Sequence, residues 1–436
     1  MKKLRLHPTL APSVLGLVVA CSGTVGCSSG TISGPGGMQQ GVSGTGSSSG
    51  AVGGSGAGSG SSVAGTGNVP PPPDCATATG PLPGRSPLRR LSLTEYLTTV
   101  NDLLGVDTKM VAMNFPPDQL LATQGAGFSN NADALVVSDT LARAYQTAAE
   151  TFAAQAVANL APLLGCDPAT GDACAKTFIA SFGRRAFRRP MTADEQTAYF
   201  TLFKTGSTAP EGTTFADGIS LVLQTFLQSP NFLYRVEHGA PATPTAAVAP
   251  VTSFEMATRL SYFFWGTGPD NMLLDLAQAN QLQTPAQVQM AITTLLKSPR
   301  AQSAVSNFHN EWLSLLAITG VTKDATMFPD WTPAIALDMN NEAQTFADQV
   351  FWNDGKSDTL FNAPYTFVNA ELAKFYGMPA PTGSGFVKVN VDPSRRLGMM
   401  MMGGILAFNA KPNQTSPVHR GKFVREQLLC GTVPPP

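Results

Sequence analysis

Four arginines are packed into a short stretch of the chain: Arg184, Arg185, Arg188 and Arg189 lie in the sequence FGRRAFRRP. On a helix they form two i,i+4 pairs on adjacent faces. Guanidinium groups bind carboxylates and other anions through paired hydrogen bonds, so the cluster is a candidate site for an anion, a carboxylate or an acidic sugar. The alternative is a set of structural salt bridges between neighbouring helices.

Two carboxylates at helical spacing are the candidates for hydrolytic chemistry. Asp338 and Glu342 lie four residues apart, and Trp312 and Trp331 precede them in the sequence. Carboxylate pairs with aromatic platforms are typical of polysaccharide-active enzymes. The alternative is a solvated helix face or a buried hydrogen bond. His309 lies near in sequence but has no second histidine beside it, so no metal site is predicted.

A basic patch near the C-terminal end is a candidate docking surface. His419, Arg420, Lys422 and Arg425 crowd one short helical stretch, which suits an acidic partner or a haem propionate. The alternative is a solvated helix face. The methionine run 399–402 points around the whole of a predicted apolar helix, so it indicates packing rather than copper or haem ligation.

The N-terminal residues predict export. A basic segment at residues 2–5 precedes an apolar run at 10–20 that is too short to span a bilayer. The run ends in VVAC, which resembles a lipoprotein box with Cys21 as the acylated residue; Cys27 is the alternative. Ordinary signal cleavage is the other interpretation. We therefore expect a leader at 1–27 and a chain anchored by lipid to the cell envelope, at the outer membrane.

Export permits disulfides among the four remaining cysteines. Cys166 and Cys174 flank a turn-rich loop that can bring them within bonding distance, so this bridge is predicted first. Cys75 with Cys430 then follows by subtraction. The chain has no C-x-x-C pattern, so it carries no haem attachment motif of its own and no cofactor is predicted in it.

The element pattern predicts a mainly α protein, a multi-unit helical bundle behind a disordered N-terminal tether. Residues 28–86 are rich in Gly, Ser and Pro and cannot form a core. Capping boxes mark helix starts at Ser92, Thr192 and Thr252, and the helix after Thr252 is apolar on nearly every side, which indicates a core element. A further helix is expected over 132–160, and the one convincing strand over 385–391.

These elements group into units with composition breaks between them. We expect a helical domain at 87–165, a helical domain with the arginine motif at 166–240, a central helical domain at 250–380, and the start of a C-terminal domain at 393–436 that is apparently truncated. The charge balance of 28 basic and 29 acidic residues gives no indication of a nucleic-acid partner.

Four separated stretches, in order, carry a family resemblance: PLRRLSLTEYLTTVNDLLG, FGRRAFRRPMTADE, ATRLSYFFWGTGPDNMLLDLA, and RRLGMMMMGGILA followed by TSPVHRGKFVREQLLCGTVPPP. Together they resemble the large secreted proteins of planctomycetes and myxobacteria that are built from serial domains of unknown function, often with cytochrome c modules. The resemblance implies that haem c belongs to a longer form, in which a haem-binding segment follows Cys430.

Two functions follow as hypotheses. The first is an exported, lipid-anchored helical surface protein that acts as the binding or scaffold part of a c-type-haem-associated redox system. The second is a polysaccharide-active surface enzyme that uses Glu342 or Asp338. The expected partners are the membrane, through the lipid anchor, and a polysaccharide or a redox protein.

Overall fold

The computed structural model describes residues 86–118, 127–240, 249–431 and 433. Cys21, Cys27, Cys75 and the tract rich in Gly and Ser lie outside these residues. The described part is mainly α, as predicted, with two small two-stranded sheets. None of its helices combines the length and the apolar character that crossing a membrane requires.

The first half of the described chain packs around one hydrophobic core, to which both predicted domains at 87–165 and 166–240 contribute. Its elements are β1 (Arg89–Arg90), α1 (Leu93–Leu104), α2 (Lys109–Ala112), α3 (Asp139–Val157), α4 (Ala161–Leu164), α5 (Asp172–Ala186), α6 (Ala193–Gly206), α7 (Phe215–Gln228), α8 (Pro230–Leu233) and β2 (Tyr234–Arg235). The antiparallel pair β1–β2 joins the beginning of this segment to its end. The largest fully buried side chains of the core are aromatic: Tyr96, Phe152, Phe178, Phe226 and Phe232.

Local capping fixes where these helices begin. At α1 the Ser92 hydroxyl accepts the Glu95 backbone N–H at 3.2 Å, and the Glu95 carboxylate accepts the Ser92 N–H at 2.9 Å. The predicted boxes at Thr192 and Thr252 are present as well. The helix expected from residue 132 begins later, at Asp139, because Ser138 caps it and the residues before Ser138 form turns.

The central segment forms a second, smaller core. Its helices are α9 (Ser253–Trp265), α10 (Asn271–Gln278), α11 (Pro285–Leu295) and α12 (Pro299–Trp312). In α9, Ala257 and Leu260 face this core, and the Trp265 indole N–H donates to the Leu295 carbonyl at 3.0 Å. The expectation that α9 is a core element packed on most sides is confirmed: only Arg259 and Phe263 among its residues are exposed, and the exposed fraction of Phe263 is 56%.

A third core gathers the rest of the chain. Its elements are α13 (Pro333–Gln349), a π-helical turn (Val350–Asp354), α14 (Ser357–Asn362), β3 (Tyr365–Val368), α15 (Ala370–Phe375), β4 (Val387–Asn390), α16 (Gly403–Phe408), α17 (Pro417–Phe423) and a second π-helical turn (Val424–Leu428), with 3-10 turns at Leu315–Gly320 and Met399–Met401. The predicted strand is present as β4, and its antiparallel partner β3 was not anticipated. The methionine run forms a 3-10 turn before α16, not one apolar helix; Met399 and Met402 are buried, whereas Met401 is exposed.

Candidate functional site

Arg188 follows the end of α5, and its side chain is buried and hydrogen-bonded to neighbouring elements. Its backbone φ is 59°, a conformation that L-residues seldom adopt, and its side chain turns into the protein. The guanidinium donates to the carbonyls of Phe232, Asn231 and Tyr234 at 3.1, 2.7 and 2.7 Å and approaches the Tyr262 hydroxyl at 3.3 Å. These contacts tie α5 to α8 and β2, so the donors of Arg188 serve the fold.

The other three arginines of the motif also have partners in the chain. Arg184 binds Asp275 on α10 at 2.6 Å, and Arg185 donates to a backbone carbonyl near the end of α1 at 3.0 Å. Arg189 binds both carboxylate oxygens of Glu195 at 2.8 and 2.9 Å, which holds the pKa of that carboxyl below its ordinary value. The four side chains therefore diverge to separate partners and do not converge on one anion.

Glu342 is fully buried in the third core. It accepts hydrogen bonds from the Thr366 hydroxyl on β3 and the Tyr376 hydroxyl after α15, both at 2.6 Å. Burial raises the pKa of Glu342 above its ordinary value, although the two hydrogen bonds oppose this shift. Arg396 stacks on the Tyr376 ring at 3.9 Å, and a neighbouring cavity of about 10 Å³ has the volume of a single water molecule.

The aromatic platforms expected beside this carboxylate are packing elements. Trp312 is buried and donates its indole N–H to the Gln427 carbonyl at 2.6 Å, and half-buried Trp331 donates to the Val321 carbonyl at 3.2 Å. Asp338 lies half-buried one turn before Glu342. A glycoside hydrolase needs both carboxyl groups at the substrate, and the 10 Å³ space beside Glu342 admits no sugar ring.

His309 has a partner that its sequence neighbours do not reveal. Its Nδ1 lies 2.9 Å from Asp348 Oδ1, and the other oxygen of Asp348 accepts the Ser306 hydroxyl at 2.5 Å. Glu311 points elsewhere, to the Ser129 hydroxyl at 2.5 Å. With His309 only 3% exposed, this pair fastens α12 to α13. Asp348 is 39 residues away in sequence, so spacing along one helix could not identify it.

The C-terminal basic segment, residues 417–429, is the predicted site that stays open to solvent. His419, Arg420, Lys422 and Arg425 are all exposed. Within the described residues, Lys422 is the one member of this group that forms an ion pair. Its partner is Glu426, at 3.8 Å, and about half of the lysine side chain is exposed to solvent. Two apolar side chains flank this charge: Val418 is 77% exposed and Leu429 64%. The segment thus presents exposed cations beside two exposed apolar side chains.

The sulfur chemistry of the described residues is structural. Cys166 and Cys174 form the predicted disulfide, with Cα atoms 5.5 Å apart. Cys430 is disulfide-bonded as well, and its predicted partner Cys75 lies outside the described residues. In the described ranges no group of three or more His, Cys, Asp or Glu side chains is arranged to hold a metal ion.

Comparison with protein families finds four matches in series. Residues 89–158 match PSD3, a protein of unknown function (DUF1587); residues 174–237 match PSD5, a protein of unknown function (DUF1595). Residues 251–378 match PSD4, a protein of unknown function (DUF1592), and residues 396–436 match PSCyt3, a protein of unknown function (DUF1588). No curated protein and no solved structure matched. The chain therefore belongs to the proteins built from serial PSD and PSCyt domains, names that fit the planctomycete cytochrome c-associated series.

Proposed function

We propose that this chain is the binding or scaffold part of a c-type-haem-associated redox system, exported and held at the cell envelope by a lipid on Cys21, with Cys27 as the alternative. The observation that carries the proposal is the C-terminal basic segment, which lies within the PSCyt3 match at 396–436. Family names of the PSCyt and PSD type associate the chain with cytochrome c, and the segment supplies a surface on which such a partner could dock.

The chemistry of the segment suits a haem protein. A c-type haem carries two propionates, which are anionic at neutral pH and commonly lie near the protein surface. Arg420 and Arg425 can bind a carboxylate through two parallel hydrogen bonds, whereas Lys422 contributes a point charge. Val418 and Leu429 would bury apolar area when the partner docks. Transient redox complexes of this kind form small interfaces whose association depends on charge.

The envelope location rests on the leader and the tract behind it. The basic residues at 2–5, the short apolar run and the VVAC sequence support acylation, and residues 28–86 would then space the helical body from the membrane surface. A single acyl chain binds membranes weakly, so stable anchoring requires more than one. The measurement for this part is incorporation of a fatty-acid label.

The docking proposal is tested by charge reversal. The triple variant Arg420→Glu, Lys422→Glu and Arg425→Glu is titrated against a purified acidic c-type cytochrome by calorimetry. We expect binding at least about tenfold weaker than for the native chain at about 50 mM salt, and little difference at about 500 mM, because exposed charges are screened.

The matched control carries the same change in net charge at exposed basic residues elsewhere: Lys109→Glu, Arg143→Glu and Lys297→Glu. This control should keep most of the native affinity. An equal loss of cytochrome affinity in both triple variants would assign the effect to net charge. No loss of affinity in the variant of Arg420, Lys422 and Arg425 would show that the C-terminal basic segment is not the docking site.

A further inference from the structure

An open groove of about 760 Å³ lies where α13, α14 and the β3–β4 sheet meet. Its lining includes no residue of the C-terminal basic segment, and it shares only Tyr365 with the cavity beside Glu342. Its volume falls within the range of small-ligand sites in proteins. The residues that carry the argument are Asn353, Asp354, Asp358, Asn362, Tyr365 and Lys388, all of which line the groove.

The backbone presents several of these side chains together. The helix α13 does not stop at Gln349 but passes into the π-helical turn, which ends at Gly355 with φ 66°. Turns of this kind place side chains differently from a regular α-helix and recur at functional sites. They bring Asn353 and Asp354 to the groove, and α14 adds Asp358 and Asn362, four residues apart on one face.

Most polar side chains that line the groove end in a carboxylate or a carboxamide, each of which is planar and carries two polar atoms. Asn362 Nδ2 donates to Asp358 Oδ1 at 2.6 Å, and Asn353 Nδ2 donates to Gln349 Oε1 at 2.5 Å. These bonds hold the side chains in place and leave Asp358 Oδ2 and Asn362 Oδ1 without a hydrogen-bond partner among the described residues. Carboxylates and carboxamides bind adjacent hydroxyl groups well, since a hydroxyl both donates and accepts.

An aromatic wall completes the groove. The Lys388 Nζ lies 3.6 Å from the centre of the Tyr365 ring, and Lys388 is opposite Phe367 in the β3–β4 register. Phe367 is buried and Lys388 covers one face of the Tyr365 ring, so the apolar surface available to a sugar is the remaining exposed part of Tyr365, and the lysine supplies one exposed donor. Of the charged groups in the lining, Asp354 and Asp358 outnumber Lys388. The excess of negative charge disfavours an anionic ligand, and the exposed carboxylate and carboxamide groups favour a ligand that carries hydroxyl groups.

We propose that this groove is a binding site for a neutral glycan. The hydroxyl groups of the glycan form hydrogen bonds with Asn353, Asp358 and Asn362, and the sugar packs against Tyr365. The proposed role of the site is binding, and it is independent of the cytochrome-docking role. In an envelope protein such a site would hold the chain on neutral polysaccharide outside the membrane.

The test is affinity electrophoresis of the full chain through gels that contain soluble starch, mixed-linkage β-glucan, arabinoxylan or galactomannan, with pectate as the anionic comparator. We expect retardation by at least one neutral polymer, unchanged by EDTA, and none by pectate. Retardation by no neutral polymer, or by pectate alone, overturns the proposal. Loss of binding in EDTA overturns direct recognition by these side chains.

Variants then locate the site. The double variant Asn353→Ala with Asp358→Ala should bind the retarding polymer at least about tenfold more weakly, because two hydrogen-bonding side chains are lost. Its matched control, Asn159→Ala with Asp330→Ala, removes the same side-chain types at exposed positions away from the groove and should bind as the native chain does. Asn362→Trp fills the groove from an exposed position and should also abolish binding. Native-like binding by both groove variants refutes the assignment.

Discussion

Replacement of Arg188 by methionine tests whether the arginine motif serves the fold. Methionine keeps the unbranched aliphatic stem but removes the guanidinium, which donates to three backbone carbonyls at 2.7–3.1 Å and is 4% exposed as a residue. Hydrogen bonds to a charged group contribute about 1.5–3 kcal/mol each, and buried acceptors left without a donor lose more than exposed ones. We therefore expect the free energy of unfolding to fall by about 4 kcal/mol, after the smaller desolvation cost of the methionine is counted.

The matched control is Arg184→Met in the same motif. Arg184 pairs with Asp275, whose side chain is 70% exposed, so this ion pair contributes at most about 1 kcal/mol. In thermal unfolding followed by circular dichroism, Arg188→Met should lower Tm by roughly 10 °C and Arg184→Met by no more than about 3 °C. Similar small shifts for both variants would refute the structural reading of Arg188 and return the motif to the anion-binding interpretation.

Two further predictions concern single residues. Burial raises the pKa of Glu342, so the native chain loses stability as pH rises through that pKa, whereas Glu342→Gln has no proton to lose. Urea unfolding at a series of pH values above the ordinary pKa of a glutamate should therefore show the glutamine variant gaining stability relative to the native chain, and a difference that is constant with pH would contradict this. In an expression host with lipoprotein processing, Cys21→Ser should abolish fatty-acid labelling and Cys27→Ser should preserve it; the reverse result would move the anchor to Cys27.

Local signals in the sequence were sufficient for much of the fold. A capping box joins residues three apart, so the start of α1 at Ser92 could be predicted without knowledge of any tertiary contact. The disulfide at Cys166 was predictable for the same reason, since a short turn-rich loop joins its two cysteines. The predicted start of α3 was wrong by several residues, because Ser138 caps the helix and the residues before it form turns.

The chemistry of the candidate sites depended on contacts that sequence spacing does not encode. The spacing of four residues from Asp338 makes Glu342 a candidate in the sequence, yet its hydrogen-bond partners lie on β3 and after α15, 24 and 34 residues downstream. The strand β3 itself was missed, because four residues give too short an alternation to recognise. The groove was missed for a related reason: the π-helical turn that helps form it has no sequence signature.

The two proposed surfaces differ in the physics of their binding, which allows one experiment to separate them. Docking on the C-terminal basic segment depends on exposed cations at Arg420 and Arg425, so its affinity must fall steeply as salt increases. Recognition of a neutral glycan by Asp358 and Asn362 neutralises no charge and should vary little over the same range. A chain bound to glycan through the groove would therefore release a cytochrome at high salt while it stays on the polysaccharide. Simultaneous loss of both ligands would mean that one charged surface accounts for both.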